Sequence, residues 1–434
     1  MADPIRSQIR VLKEKAILVN VILPDHNYEG IRDPLDELNS LAETAGAIVM
    51  DRLIQKRFKA NSATLLGKGK VQELATLVKE YEAEVAIFNN GLSPAQIRNI
   101  EEVTHCKIID RSELILDIFA NRAKTYEAKL QVELAQLEYT YPRLRAMWSH
   151  LERIAGGSPA GIGTRGPGEQ QLEIDRRIVQ TRKSELKREI AKIQDRKRRE
   201  VDKRNADHFT VGLVGYTNAG KSTLFNTLTA ADVYADDKLF ATLDTRTRRW
   251  DLGGGDQVML SDTVGFIRDL PHHLVASFKA TLDEALHADL LLLVMDVSDS
   301  QAARHMETVT SVLEDIGAGD TPRLILLNKT DQLEDNAELL IWRQEFPDSI
   351  SISARMGTGL DAVVEAVREA QRGKLKRLKL RLPMAEGKAI QFIENRTQIH
   401  DRDYDATDVT FDLTIGERQF NQIKGMGARF EVVS

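Results

Sequence analysis

The segment Gly215-Tyr216-Thr217-Asn218-Ala219-Gly220-Lys221-Ser222-Thr223 constrains this chain more than any other. It follows an apolar run, FTVGLVG (209–215), and opens a helical stretch at Lys221. The glycines let backbone N–H groups turn inward around an anion, and the start of a helix adds positive potential there. Such a loop cradles phosphates, with Lys221 placed to reach the β- and γ-phosphates and the Ser222 hydroxyl to bind Mg²⁺. A strand that turns through this loop into a helix belongs to a mixed, mostly parallel α/β sheet.

The strands expected after it are 257–263, 290–297, 323–328 and 349–353. Three strand ends carry chemistry. Asp262-Thr263-Val264-Gly265 supplies an Asp for the Mg²⁺ shell and a glycine N–H for the γ-phosphate. In Asn328-Lys329-Thr330-Asp331, the Asp331 carboxylate can accept two hydrogen bonds from the guanine ring N–H and amino group, which adenine does not offer. In Ser353-Ala354-Arg355, the Ala354 N–H can donate to guanine O6. Each motif is common singly; together, in this order and at strand ends, they specify GTP over ATP. The first switch loop is expected at Phe240-Ala241-Thr242-Leu243-Asp244, with Thr242 as the second protein ligand of Mg²⁺ and Thr245 as its competitor. Lys221, Thr242 and Gly265 are the groups expected to act on the reacting phosphate. After Gly265 stands Phe266, where many GTPases place a glutamine that orients water. Either hydrolysis is slow and waits for a group from elsewhere, or Phe266 packs into the core and another residue positions the water.

Upstream, residues 17–110 alternate strand and helix: strands at 17–23, 47–54, 85–90 and 106–110, and helices at 33–44, 70–81 and 93–103. That spacing predicts a small doubly wound parallel sheet. Asp33-Pro34 and Ser93-Pro94 read as helix starts. Lys68 and Lys70, at the next helix start, read equally as an anion site or a simple capping turn. From 111 to 207 the pattern changes. Leu130, Leu134, Leu137, Tyr141, Leu144, Trp148 and Leu151 recur in steps of four and three, a coiled-coil seam in which Pro142 is expected to kink the helix. Leu172, Val179, Leu186 and Ile193 repeat every seven residues, and the glycine-rich 156–169 between the two stretches cannot be helical. The sequence therefore predicts a long antiparallel helical hairpin with a basic outer face through Arg196-Lys197-Arg198-Arg199. The whole chain divides as an N-terminal α/β domain (1–110), the hairpin (111–207), a nucleotide-binding domain (208–372) and a small α+β unit (373–434) with two strands near 389–393 and 408–414, past LKLRLP (378–383).

Length and composition bound the alternatives. The 434 residues suit two to four domains, and 42% hydrophobic with 29% charged residues fits a globular protein. The longest apolar run, Leu290–Met295, is too short to span a bilayer. One cysteine, Cys106, rules out an intrachain disulfide, and the first residues lack a secretory core, so a cytoplasmic protein is expected. The net charge of −6 is uneven: residues 171–204 carry 13 Lys/Arg and 7 Asp/Glu, a balance of +6, which leaves about −12 elsewhere. Concentrated positive charge suits a polyanion, through counterion release at RNA phosphates, or else a solvated helix face.

Beyond the nucleotide motifs, LLGKGKVQEL (65–74), LSPAQIRNIEE (92–102), IIDRSELILDIFANRAKTYEAKLQVELAQLEYTYPRL (108–144) and GIGTRGPGEQQLEIDRR (161–177) resemble the HflX family of ribosome-associated GTPases. The resemblance implies a GTPase that uses Mg²⁺, cycles between GTP and GDP, docks on the large (50S) ribosomal subunit and its rRNA, acts in ribosome rescue, splitting or biogenesis, and is monomeric off the ribosome. Arg165 in the glycine loop would then reach into RNA. One departure is Thr-Leu-Asp-Thr-Arg-Thr (242–247) where the family has Thr-Leu-Asp-Pro-Thr, which leaves that loop less constrained. A reading from another class is a nucleotide-sensing RNA-binding assembly factor in which hydrolysis is incidental.

Overall fold

The computed structural model describes residues 14–24, 33–154, 167–229, 239–240, 245–268, 287–333, 335–373 and 375–433. Three sheets organise the chain. The first has the order β2-β1-β3-β4 and is parallel throughout, with β1 Lys15–Ile22, β2 Ile48–Lys56, β3 Val85–Phe88 and β4 Lys107–Asp110. Helices α1 Asp36–Ala45, α2 Lys68–Tyr81 and α3 Pro94–Thr104 join these strands, and α4 Arg111–Arg122 follows directly from β4. The α3 start is a capping box, with the Ser93 hydroxyl accepting from the Gln96 N–H and Gln96 Oε1 accepting from the Ser93 N–H. The expected Asp33-Pro34 cap lies two residues before the observed N-cap, Leu35. Asp33 Oδ1 accepts from the Leu35 N–H, and the helix starts at Asp36.

The hairpin is α5 Tyr126–Ile154 and α6 Pro167–Asp207. Its described seam is Leu130, Leu134, Leu186 and Ile190, with Leu137 and Ile193 packed against it. The side chains of Leu144, Trp148, Leu151 and Leu172 lie outside the described residues. So do residues 155–166 with Arg165, and the first thirteen residues of the chain. Helix α5 runs on through Pro142, and α6 begins at Pro167, inside the segment 156–169 expected to be non-helical, so that expectation fails at its end. Proline is favoured in a first turn because its missing N–H has no helical partner there anyway. Some basic residues of α6 reach across to α5: Lys197 pairs with Glu127, Arg182 Nε with Glu133 (2.7 Å), and Lys183 and Lys187 with Glu138 (3.5 and 2.9 Å), while Arg196, Lys197 and Arg199 of the expected basic face are exposed.

The second sheet runs β10-β9-β8-β5-β7-β6, with β5 Thr210–Gly215, β6 Arg246–Gly253, β7 Asp256–Asp262, β8 Leu290–Asp296, β9 Arg323–Asn328 and β10 Ile350–Ser351. All its pairings are parallel except β6–β7. Strand β6 was not expected. RTRRWDLG is charged at most outward positions and buries mainly Trp250 and Leu252, so its period-2 signal is weak. Helices α7 Lys221–Thr229, α8 Ala302–Ile316, α9 Asn336–Glu345 and α10 Leu360–Arg372 belong to this sheet.

The last sheet is antiparallel, β12-β13-β11-β14, with β11 Leu375–Pro383, β12 Gln398–Tyr404, β13 Asp408–Gly416 and β14 Glu431–Val432, and it carries α11 Gly387–Arg396 and α12 Glu417–Gly425. Residues 389–393, expected as a strand, lie in α11. Ala389 and Ile393 are its buried positions, and their i, i+4 spacing is helical. Among the described residues no helix is long and apolar enough to cross a membrane.

Candidate nucleotide site

Four chain segments meet at the carboxyl ends of β5, β7, β9 and β10, where open α/β sheets bind ligands. Gly215 ends β5 with its backbone against β8, and a Cβ there would collide with the Val294 carbonyl. Asn218 is left-handed (φ 60°), a strained position of the kind that clusters at ligand sites. Gly220 (φ 95°) has no room for a Cβ because the Asn328 amide lies against it. That amide is the hub of the site. Asn328 Nδ2 donates to the Ala219 carbonyl (2.7 Å), and its Oδ1 accepts from the Ala354 N–H (2.9 Å). One buried side chain thus ties the phosphate loop to two strand-end motifs.

Lys221 is almost fully buried at the start of α7, and its Nζ donates to the carbonyls of Gly215 (3.0 Å) and Tyr216 (2.7 Å). Burial pushes its ammonium down to about 8, and the Asp262 carboxylate only partly opposes this. Binding a polyphosphate requires the charged form, so affinity is expected to fall about tenfold per pH unit above pH 8. The binding step should take up a proton there, whereas below pH 8 it should take up none at this group. Titration calorimetry in buffers of different ionisation enthalpy reads that proton; no uptake at pH 9 removes Lys221 as its source. The sign also fixes a stability trend. The folded state holds this proton more weakly than the unfolded chain, so the ligand-free protein gains stability as pH rises from about 8 toward 10.5.

Ser222 Oγ donates to Asp262 Oδ2 (2.9 Å), which places a hydroxyl and a carboxylate side by side below the loop. Oxygen donors of this kind suit Mg²⁺, which is held by few protein oxygens and the substrate phosphates. The described residues contain no group of three His, Cys, Asp or Glu that could hold a metal by themselves. The buried Thr217 Oγ1 has no hydrogen-bond partner, a polar atom left open in the cradle. Thr223 follows in the first turn of α7.

Thr263 is buried and its hydroxyl donates to the Leu213 carbonyl (2.6 Å). Val264 is buried in the core, and Gly265 sits directly on the loop: a Cβ on it would be 2.8 Å from Thr217 Cγ2 and 3.0 Å from Lys221 Nζ. Phe266 then pairs with the loop by its backbone. Its N–H donates to the Gly215 carbonyl (3.1 Å), and its carbonyl accepts from the Thr217 N–H (2.7 Å). Its ring is buried in the core shared with the N-terminal domain, so it does pack as one of the two sequence readings has it.

On the base side, Lys329 is left-handed (φ 64°) and pairs with Asp296 (2.6 Å). Thr330 donates twice to the Ile352 carbonyl (N–H 3.3 Å, Oγ1 3.0 Å) and so fixes the turn from which the exposed Asp331 projects. Ser353 is buried, with Oγ accepting from the Met356 N–H (3.1 Å), and Arg355 is exposed. Of the first switch loop only Phe240 is placed; Ala241, Thr242, Leu243 and Asp244 lie outside the described residues. Phe240 is buried, with φ 55°, and meets Phe119 of α4 edge-on at 4.6 Å. Beside it, the Leu239 N–H donates to Thr44 Oγ1 of α1 (3.2 Å).

Sequence reasoning missed Glu37, Arg111, Arg268 and His305, which surround the Tyr216 side chain. The Tyr216 hydroxyl donates to Glu37 Oε1 and accepts from the Arg268 N–H (2.8 Å), and its ring stacks on His305 at 3.7 Å. The available signal was the spacing in α1, where Glu37 precedes the buried Leu41 by four residues and so shares its face.

Three family models match in sequence: GTP-binding GTPase N-terminal at residues 32–120, GTP-binding GTPase Middle Region at 122–204, and 50S ribosome-binding GTPase at 210–329. GTPase HflX of Escherichia coli (strain K12) is 45% identical over 380 residues, covering 86% of this chain and 87% of that protein. GTPase HflX of Lacrimispora saccharolytica is 42% identical over 400 residues, covering 92% of each. Among solved structures, a GTP-binding protein from the hyperthermophilic archaeon Sulfolobus solfataricus in complex with GDP is 25% identical with a TM-score of 0.44, covering 82% of this chain and 98% of that one. With such relatives spanning most of both lengths, this chain belongs to the HflX family of GTPases.

Proposed function

We propose that this GTPase works on the large ribosomal subunit, as a slow switch whose hydrolysis the subunit accelerates. The observation that carries the reading is the agreement of residues 210–329 with the 50S ribosome-binding GTPase family. Phe266 supports the slow half of it. A buried phenyl ring cannot hydrogen-bond a water, and the position after the γ-phosphate glycine is where many GTPases hold one. The paired helices α5 and α6 support the docking half: a long basic rod before the nucleotide domain suits rRNA phosphates in the cytoplasm.

In this reading the protein is a monomer off the ribosome and acts in rescue, splitting or biogenesis of ribosomes. Backbone N–H groups of 220–222 and Lys221 hold the phosphates, Asp331 reads guanine, the Ala354 N–H is shared between Asn328 Oδ1 and guanine O6, and the Gly265 N–H meets the γ-phosphate. Ser222 and Thr242, with Asp262 behind them, would hold Mg²⁺, which neutralises charge on the β- and γ-oxygens when bound.

Turnover of GTP with and without purified 50S subunits tests the proposal. A partner that completes a GTPase site is worth orders of magnitude, so at least about tenfold stimulation is expected. Binding to 50S without any stimulation would instead favour an RNA-binding assembly factor whose hydrolysis is incidental.

A further inference from the structure

The side chain of Tyr216, in the phosphate loop, is held by the N-terminal domain. Its hydroxyl donates to Glu37 of α1, a residue 179 positions away. Glu37 Oε2 also accepts from Arg111 Nη2 (2.8 Å) and from Arg268 Nη2 (3.2 Å). Arg111 Nη2 donates in addition to the Arg268 carbonyl (3.0 Å), and its Nη1 to Asn89 Oδ1 at the end of β3 (3.0 Å). Arg268 completes the ring by giving its N–H to the Tyr216 hydroxyl and its Nη1 to Gln301 (3.3 Å). Three ionised groups converge here, with Arg111 buried and Glu37 and Arg268 half-buried, and the carboxylate pairs with both guanidinium groups. Burial alone raises the Glu37 carboxyl, but Arg111 and Arg268 outweigh it and leave it below its ordinary value. The cluster is therefore charged, and losing the carboxylate leaves two guanidinium groups facing each other.

The position of this cluster matters because Arg268 lies only three residues after Gly265. Between them, Phe266 is laced to the loop by two backbone hydrogen bonds that flank Tyr216, one to Gly215 and one to Thr217. The lacing uses the N–H and carbonyl of Phe266 and leaves the Gly265 N–H without a partner among the described residues, on a glycine packed against Lys221 Nζ. Two donors for a γ-phosphate are thus set side by side, and the Glu37 cluster pins the segment that carries one of them. Groups fixed in advance bind their ligand without the cost of ordering a loop.

We infer that Glu37, in the N-terminal domain, is a positioning residue that holds the 262–268 segment ready for the γ-phosphate and so sets the preference of the site for GTP over GDP. The inference rests on reading Gly265 as a γ-phosphate donor, and the test keeps the two apart. GDP lacks that phosphate, so its affinity reports the cradle alone, while the ratio of affinities for a non-hydrolysable GTP analogue and GDP reports the segment.

Glu37→Gln keeps the side-chain shape and one acceptor, and removes the charge. It is expected to lower GTP-analogue affinity about tenfold, within the usual range of coupling between sites, and to leave GDP affinity within about twofold. Tyr216→Phe removes only the hydroxyl and should move the same ratio in the same direction. In a double-mutant cycle the two changes should be less than additive, since both cut the same link. Thermal melting with GDP bound separates this from a loss of fold. An unchanged ratio in both variants overturns the inference, as does an equal loss for both nucleotides. A rise in GTP-analogue affinity also overturns it, because the cluster would then restrain the segment rather than prepare it. If Gly265→Ala leaves the ratio unchanged while the Glu37 and Tyr216 variants shift it, the reading of Gly265 falls and the clamp stands.

Discussion

Replacing Lys221 by alanine should reduce GTP affinity by roughly two to three orders of magnitude while GTP hydrolysis falls to background. A charge-assisted hydrogen bond is worth about 1.5–3 kcal/mol, and a lysine between the β- and γ-phosphates makes two of them. The structure holds Nζ where that requires, with two loop carbonyls fixing it and Asp262 as its nearest compensating charge. The substitution also removes a buried, partly uncompensated cation, so the ligand-free fold should lose little or gain stability. Fluorescent-nucleotide titration beside a melting curve checks both halves. Retained affinity in a folded variant would mean that the loop is not the phosphate cradle.

Asp331→Asn has an effect of similar size on selectivity rather than on phosphate binding. A carboxylate accepts from both the ring N–H and the amino group of guanine, at about 1.5–3 kcal/mol each. An asparagine amide presents a donor where one of those acceptors stood, which suits the carbonyl that xanthine carries in place of the amino group. GTP affinity should fall by about two orders of magnitude or more, and xanthosine triphosphate should bind in its place. Asp331 is exposed and makes no hydrogen bond among the described residues, so the fold has no stake in its charge. Competition between the two triphosphates measures the change; unchanged GTP affinity would put the base elsewhere.

These two experiments address the part of the site that was legible in the sequence. The phosphate loop was legible because its constraints are local. A left-handed Asn218 and two glycines without room for a Cβ must come in that order wherever a strand turns into a helix around an anion. The helix start at Ser93-Pro94 and the parallel alternation of the first sheet were legible for the same reason, since each depends on residues a few positions apart. Where a local signal was weak, the reading erred. Residues 389–393 look like a strand until their buried positions are known to be four apart, and β6 hides its alternation under charged residues.

What the sequence by itself determined is the nucleotide and the order of the loops that bind it, because phosphate and guanine recognition rest on short segments whose backbone geometry their own residues dictate. Only the tertiary structure decided what those segments lean on. Lys197 pairs with Glu127 across the hairpin, and Asn328 ties the phosphate loop to the base loop. Glu37 reaches Tyr216 across 179 positions and Arg268 across 231. Such contacts are made by packed surfaces. A buried charge is tolerated only where opposite charges from distant segments converge on it, and no local pattern says which segments those are.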